Sequence, residues 1–174
     1  EKGSSANENA GVKSAQSMNV GIPLSGLPVI GDSPLGGAKI TLGYENMDAE
    51  ATSYQSKEGG TVAIVMPVGP LSVGYQKKAY APVATADGTK TFYKDDVVGI
   101  AYAVNDDFAI SYNLYESHQH NNDGTNTEQE SEAINLAYTV GGLTLGFQDA
   151  KTANAGYSAG TDDDTRTISI KTAF

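Results

Sequence analysis

The feature that most constrains the fold is an alternation of apolar and polar residues that recurs along the chain. Apolar residues occupy every second position rather than every third or fourth, a period typical of β-strands with one apolar face. Nine segments carry this pattern, which predicts an all-β protein. Their apolar sets are Met18, Val20 and Ile22; Ile40, Leu42 and Tyr44; Val62, Ile64, Met66 and Val68; Leu71, Val73 and Tyr75; Val98, Ile100, Tyr102 and Val104; Phe108, Ile110, Tyr112 and Leu114; Ile134, Leu136, Tyr138 and Val140; Leu143, Leu145 and Phe147; and Ile168, Ile170, Thr172 and Phe174.

Short and long connections alternate between the predicted strands. The segments VGPL (68–71) and VGGL (140–143) predict two-residue hairpins, and VNDDF (104–108) predicts a type I turn followed by a bulge. Val68, Val104 and Val140, which precede the tight turns, lie 36 residues apart. A propeller blade would need about four strands per repeat, whereas each unit here has two. We therefore predict an antiparallel up-and-down meander.

The face opposite the apolar sets indicates what surrounds the sheet. It carries small, uncharged, hydrogen-bonding residues, and within the predicted strands its charged residues are Lys39, Glu45 and Lys171. A soluble sandwich normally carries many charges on its water face. The apolar sets contain no charge in their centres, where a Lys or Arg at a bilayer midplane would cost about 2–4 kcal/mol. This pattern predicts a transmembrane β-barrel whose apolar face contacts lipid.

Aromatic and charged residues near the strand ends agree with that interpretation. Tyr44, Tyr75 and Phe147 are expected at the long-loop end, and Phe108 and Phe174 at the short-turn end, as two aromatic girdles. Arg166 shares the apolar side but is expected at the loop end, where the cost of a charge falls toward zero.

Composition excludes several classes of function. Lys and Arg total 11 against 21 Asp and Glu, and a formal net charge of -10 argues against nucleic-acid binding. The absence of Cys excludes a disulfide framework and thiolate metal sites. No stretch reaches the roughly 18 consecutive apolar residues of a membrane-spanning helix. We find no phosphate-binding glycine loop or nucleophile motif, and we expect neither enzymatic activity nor a cofactor.

The final segment, TISIKTAF (167–174), resembles the C-terminal strand of bacterial outer-membrane proteins through Ile168, Ile170 and Phe174. This resemblance implies that the three residues belong to a signal read by the outer-membrane insertion machinery. GIAYAVNDDFAISY (99–112) and INLAYTVGGLTLGF (134–147) are similar to the C-terminal half of general diffusion porins of Gram-negative bacteria, especially the alphaproteobacterial kind. The resemblance covers residues 36–174 and is one of pattern, without an invariant motif.

What the porin resemblance implies is specific. It implies an outer-membrane protein of a Gram-negative bacterium, with a sixteen-stranded barrel, a homotrimeric assembly, and contacts with the bilayer and lipopolysaccharide. The expected function is passive diffusion of small hydrophilic solutes through a water-filled channel. The constriction loop of that family would then lie in an N-terminal half that this sequence does not contain.

The strand count leaves alternatives open. We interpret residues 1–14 as a polar loop, 15–37 as a strand plus a long periplasmic-side connection, and 38–174 as the meander. The first and last of nine strands run the same way and cannot close an antiparallel barrel. Either residues 1–37 contribute no wall strand and eight strands form a small structural or adhesive barrel, or the chain is the C-terminal part of a larger barrel, which we favour. A soluble secreted β-sandwich is a third alternative.

Polar residues opposite the apolar sets are the candidates for lining a channel. They are Lys39, Glu45, Gln76, Asn113, Asn135, Gln148 and Lys171. Acidic loops around the mouth predict a mild preference for cations.

Two loop segments contain residue types that bind metals. His118 and His120 accompany Asp123, and TDDDT (161–165) contains three consecutive carboxylates. NNDGTNTEQE lacks the spacing of a calcium-binding loop. We interpret all of these as solvated loops and expect no metal site. The alternatives are a metal site or the base pair of an outer-membrane protease at His118 and His120, and divalent-cation binding by TDDDT.

Overall fold

The computed structural model describes residues 12–28, 33, 35–49, 56–82 and 91–172. These residues form one antiparallel sheet in which strands adjacent in sequence are adjacent in space. The prediction of an all-β up-and-down meander is confirmed. The strands are β1 (Val12–Pro23), β2 (Lys39–Ala49), β3 (Lys57–Val68), β4 (Leu71–Ala81), β5 (Thr91–Ala103), β6 (Phe108–Asn121), β7 (Asn126–Val140), β8 (Leu143–Ala153) and β9 (Asp163–Thr172).

The sheet is open within the described part of the chain. β1 pairs with β2 and β9 pairs with β8, so that β1 and β9 are its edges. Because β1 belongs to the sheet, the alternative in which residues 1–37 contribute no strand is wrong. The described strands also form one layer rather than the two packed sheets of a sandwich. No helix in the described ranges is long and apolar enough to span a membrane.

The tight turns follow from their glycines. Gly141 and Gly142 have φ values of 54° and 87°, as a type I′ turn requires at both central positions. Gly69 has φ 59°, and the ring of Pro70 fixes the second position at negative φ, which fits a type II′ turn. Both predicted two-residue hairpins are confirmed by the pairs Val68–Leu71 and Val140–Leu143.

The third turn keeps its register by another route. Ala103 lies opposite Ala109, as expected, but none of residues 105–107 has the positive φ of the predicted bulge. Instead, the Asn105 side-chain oxygen accepts hydrogen bonds from the N–H groups of Asp107 and Phe108 at 2.9 and 2.8 Å. The Asn105 side chain thus closes the turn, a role that the predicted bulge would have given to a residue with positive φ.

The connections at the opposite end are shorter than the sequence pattern predicted. β6 and β7 pair from Phe108 and Tyr138 as far as His120 and Asn126, so the segment around His118 and His120 that we predicted to be a loop is mostly a hairpin. The prediction was wrong because backbone pairing continues where the apolar alternation stops. Strand hydrogen bonds need no apolar side chain, so hydropathy marks the end of the apolar band rather than the end of the strand.

The connection between β1 and β2 packs against itself on the short-turn side. Leu24 and Ala38 are the buried apolar residues of the described chain, with 7% and 1% exposure. The Leu24 N–H donates to the Ala38 carbonyl at 2.9 Å, and the Ala38 N–H donates to the Leu35 carbonyl at 2.9 Å. These bonds explain how an apolar segment of this length fits between two strands, although residues 29–32 and 34 lie outside the described part.

Candidate functional site: the polar face of the sheet

The seven candidate lining residues share one face of the sheet, which we call the polar face. Side chains two positions apart on a strand point the same way, and directly paired residues point to the same side. The ladders pair Asn135 with Gln148 and with Ser111, and Lys171 with Thr144. By the same parity, the polar face carries Lys39, Glu45, Gln76, Asn113, Asn135, Gln148 and Lys171.

Polar-face side chains bind one another across neighbouring strands. The Glu45 carboxylate lies 3.0 Å from the Lys57 ammonium. Gln76 Nε2 donates to Thr61 Oγ1 at 3.0 Å, and Asn135 Nδ2 donates to Ser111 Oγ at 3.3 Å. These contacts hold the side chains along the sheet and fix their positions.

The polar face carries more charge than predicted. Lys57, Lys78, Asp95 and Asp163 join the three charged residues inferred from the sequence. They were missed because β3, β4, β5 and β9 extend beyond the apolar sets used to place them. All four lie toward the long-connection end of the strands.

Glycines leave room for long side chains to lie flat on this face. A Cβ at Gly21 would come within 2.7 Å of Lys39 Cε, and one at Gly99 within 2.8 Å of Asn113 Oδ1. Neither position tolerates a side chain unless its neighbour moves. A shallow recess of about 390 Å³ lies over β1–β4, bordered by Asn19, Glu45, Thr61, Gln76 and Lys78.

The connection between β8 and β9 folds back over the polar face. Asn154, Gly156 and Tyr157 adopt left-handed conformations with φ values of 52°, 64° and 59°. The Gly156 N–H donates to Gln129 Oε1 at 2.8 Å. A left-handed conformation is unfavourable for a bulky residue such as Tyr157 and persists where other contacts compensate.

Those contacts form a cluster of the buried Ser117 and Asp95 with the half-buried Tyr157 and Tyr93, which we call the Tyr157 cluster. Ser117 has 0% exposure and donates to Asp95 Oδ1 at 2.6 Å, and Asp95 itself has 6% exposure. Because the Ser117 hydroxyl has one proton, the Tyr157 hydroxyl donates to Ser117 Oγ at 2.7 Å. The Tyr157 ring lies 5.3 Å from the Tyr93 ring, and burial raises the pKa of Tyr157.

An aromatic strip extends from this cluster. Tyr93 stacks on Tyr80 with ring centroids 5.0 Å apart, and the Lys78 ammonium lies 4.3 Å from the centre of the Tyr80 ring. Sequence reasoning missed the strip and the cluster. One available signal was that Tyr80 and Tyr93 share the parity of the polar residues on β4 and β5.

The opposite, apolar face is exposed. Its large side chains include Met18, Ile168 and Ile170, with exposures of 62%, 79% and 67%. Near the long connections, Tyr44 and Tyr112 hydroxyls donate to Glu58 and Glu132 at 3.3 and 3.0 Å. Tyr75 donates to Asp96 in the same way. A row of tyrosines followed by carboxylates therefore marks the end of the apolar band.

The other predicted residues fall as follows. Phe147 and Arg166 lie on the apolar face, where the Arg166 guanidinium binds the Asp149 carboxylate at 3.0 Å. Ile168 and Ile170 share this face on β9, and Phe174 lies outside the described residues.

Of the segments with metal-binding residue types, one forms a cluster. His118 lies in β6 rather than in a loop, and its ring contacts Glu116 and Glu128. Asp123 is not part of this group, because its carboxylate accepts bonds from the amide and hydroxyl of Thr125 at 2.8 and 2.6 Å. In TDDDT, Asp163 and Asp164 are successive strand residues and point to opposite faces.

No protein-family model, no curated protein and no solved structure matches the chain. Its function is therefore inferred from its own geometry. The polar face offers hydroxyl, amide and a few charged groups in fixed positions, which suits contact with water and polar solutes. The apolar face offers hydrocarbon and aromatic rings, which suits a non-aqueous surrounding.

Proposed function

We propose that this chain forms part of the wall of an outer-membrane porin, with lipid against its apolar face and a water-filled path for small hydrophilic solutes along its polar face. The observation that carries the proposal is the distribution of exposure. Among the described residues, the exposed large apolar side chains of the strands lie on the apolar face apart from Val65, and Leu24 and Ala38 are the buried apolar residues. A soluble protein rarely exposes a continuous apolar surface larger than a few hundred Å².

The edge of the apolar band supports the same orientation. Tyrosines enriched at a membrane interface have rings at headgroup level and hydroxyls that reach polar partners. Tyr44, Tyr75 and Tyr112 have this arrangement, with hydroxyls directed to carboxylates on the long-connection side. The band between these tyrosines and the short turns is the proposed membrane-crossing part.

The proposal requires further strands. Unpaired backbone groups cost several kcal/mol each in hydrocarbon, so the edges of β1 and β9 must be paired within a membrane. We propose that additional strands close the barrel and that three barrels assemble, as in the porins that the sequence resembles.

In the proposed channel, the Tyr157 cluster holds a segment that narrows the path for solutes. The segment 154–162 is held over the polar face by Ser117 and Gln129. In a barrel, this segment would project into the lumen near the long-loop mouth and reduce its cross-section.

The test is channel activity of the intact protein. Extracted in detergent, it should migrate as a heat-labile trimer, and in planar bilayers it should conduct ions and admit small sugars into liposomes. A protein that stays monomeric and soluble without detergent, or that inserts without conductance, would contradict the proposal.

A matched pair of variants tests which face meets the solute. Lys171 lies on the polar face of β9, whereas Lys151 lies on the opposite face of β8. Lys171→Gln should shift the reversal potential toward cation selectivity, and Lys151→Gln should change it less. Equal shifts would contradict the assignment of the polar face to the lumen.

A further inference from the structure

The group formed by Glu116, His118 and Glu128 lies on the apolar-face side of the β6–β7 hairpin, beyond the apolar band. Glu116 and His118 are two positions apart on β6 and therefore share a face. Glu128 on β7 is directly opposite His118, a pairing that brings Cβ atoms to about 4.5–5.5 Å. The strand register, rather than a loop conformation, brings the three side chains together.

The spacing of the side-chain atoms fits a shared cation. Within the described ranges, these three residues form a group whose ligand atoms all lie within 4.8 Å of one another. His118 Nδ1 is 3.7 Å from Glu128 Oε2, which is too long for a hydrogen bond but suits two ligands of one ion. His118 Nε2 is 2.9 Å from Glu116 Oε1. A carboxylate on the second ring nitrogen is one of the partners that metal-bound histidines commonly have.

The neighbouring carboxylates favour a cation at this group, whereas the ammonium of Lys94 opposes one. Glu130 lies directly opposite Glu116 on the same face, and like charges in such a cross-strand pair are destabilising. Asp96, on the other side of Glu116, is paired with Lys77 at 3.0 Å. Lys94 lies opposite His118, with its ammonium 5.5 Å from the centre of the Phe92 ring. The three central side chains are 36–48% exposed, which leaves space for water ligands.

We propose that Glu116, His118 and Glu128 bind a divalent transition-metal ion, with Zn²⁺ as the reference ion. Imidazole and carboxylate together suit Zn²⁺, Cu²⁺ and Ni²⁺ better than Ca²⁺ or Mg²⁺, which prefer oxygen ligands alone. His118 supplies nitrogen and Glu128 supplies oxygen. Glu116 either orients the ring or joins the coordination, and water completes it. The ion relieves the repulsion between Glu116 and Glu130 and ties β6 to β7 near their turn.

The chain contains its own control. His120 is two residues from His118 on the same face, but its ring stacks on Phe92 at 4.5 Å and contacts Asn126 rather than a carboxylate. A nonspecific histidine effect would involve both residues. A site at Glu116, His118 and Glu128 involves His118 alone.

The experiment is calorimetric titration of the intact, detergent-solubilised protein with Zn²⁺. We expect one ion per chain, with at least about tenfold weaker binding in His118→Ala and Glu128→Gln and unchanged binding in His120→Ala. Zn²⁺ should raise the melting temperature of the wild type and of His120→Ala, but not that of His118→Ala or Glu128→Gln. If His118→Ala does not fold, Glu128→Gln carries the test. A lack of saturable Zn²⁺ binding, or equal Zn²⁺ affinity in the wild type and Glu128→Gln, would overturn the proposal. These outcomes do not depend on channel activity.

Discussion

Ser117 on the polar face of β6 has 0% exposure, whereas Ile110 on the apolar face of the same strand is 39% exposed. In a soluble sheet these values would be reversed, because burial of apolar area is the main favourable contribution to folding. On the polar face, hydroxyl, amide and charged side chains contact one another and the connection between β8 and β9. On the apolar face, side chains have no covering layer in the described part of the chain. Within the described chain, the most buried strand side chains are therefore polar and lie on the polar face.

The largest expected effect comes from placing a charge on each face at similar depth. Ile100 lies within the apolar set of β5, and Ala101 follows it on the polar face. With lipid against the apolar face, Ile100→Lys should destabilise the protein by about 2–4 kcal/mol, and Ala101→Lys by much less. The measurement is the free energy of unfolding from lipid bilayers.

Two outcomes would contradict this prediction. If the two lysine variants lose equal stability, the faces do not differ in their surroundings. If Ile100→Lys instead makes the protein soluble without detergent while preserving its strand content, the apolar face is covered by protein or exposed to water.

A smaller effect is expected inside the Tyr157 cluster. Ser117→Ala removes one donor from the buried Asp95 carboxylate and the acceptor of the Tyr157 hydroxyl. Leaving buried polar groups without partners costs about 1–3 kcal/mol. The free energy of unfolding should fall by that amount, and protease should cleave within residues 154–162 faster than in the wild type.

Ser131→Ala is the control for this prediction. Ser131 also lies on the polar face, but its hydroxyl is half-buried and bonds to Thr152 at 2.9 Å. Its removal should cost about 1 kcal/mol or less and leave cleavage of residues 154–162 unchanged. Faster cleavage in both variants would mean that the connection is not held by Ser117.

The sequence predicts the faces better than it predicts the cluster. Alternation with period two is sufficient to assign Gln148 and Ile168 to opposite faces, and paired glycines identify the VGGL hairpin. The contact between Ser117 and Tyr157 spans 40 residues and depends on left-handed backbone at Asn154 and Tyr157. Asn and Gly suggest such a turn, but Tyr does not, and no local pattern identifies the distant partner.

The same limit explains why the segments that contain His118 and Glu128 were predicted to be solvated loops. Its residues interrupt the apolar alternation, and so hydropathy alone ends the strands before them. The register that pairs His118 with Glu128 becomes evident only when β6 and β7 are known to remain paired beyond Leu114 and Glu132.

The smallest expected effect lies beyond both faces, at the turn between β6 and β7. Hydrogen bonds from the Thr125 hydroxyl and amide lower the pKa of Asp123 below its ordinary value. A lowered folded-state pKa stabilises the fold above the unfolded value of about 3.9, and this stabilisation is lost as the pH falls through the lowered pKa. Asp123→Ala should therefore be less stable than the wild type near neutral pH, with a difference that shrinks below about pH 4.

Because this turn belongs to neither face, the stability difference between Asp123→Ala and the wild type should be the same in detergent and in bilayers. The stability difference for Ile100→Lys should depend on the lipid. Asp106→Ala removes an exposed turn carboxylate for which the described chain shows no side-chain hydrogen bond, and it should have less effect. The measurement is the free energy of unfolding of both variants and the wild type from neutral pH to below the lowered pKa. A loss in Asp123→Ala that persists below the lowered pKa would assign the role of Asp123 to turn geometry rather than to its charge. A loss that depends on lipid would instead place the turn within the membrane surface and shift the proposed boundary away from the tyrosine row.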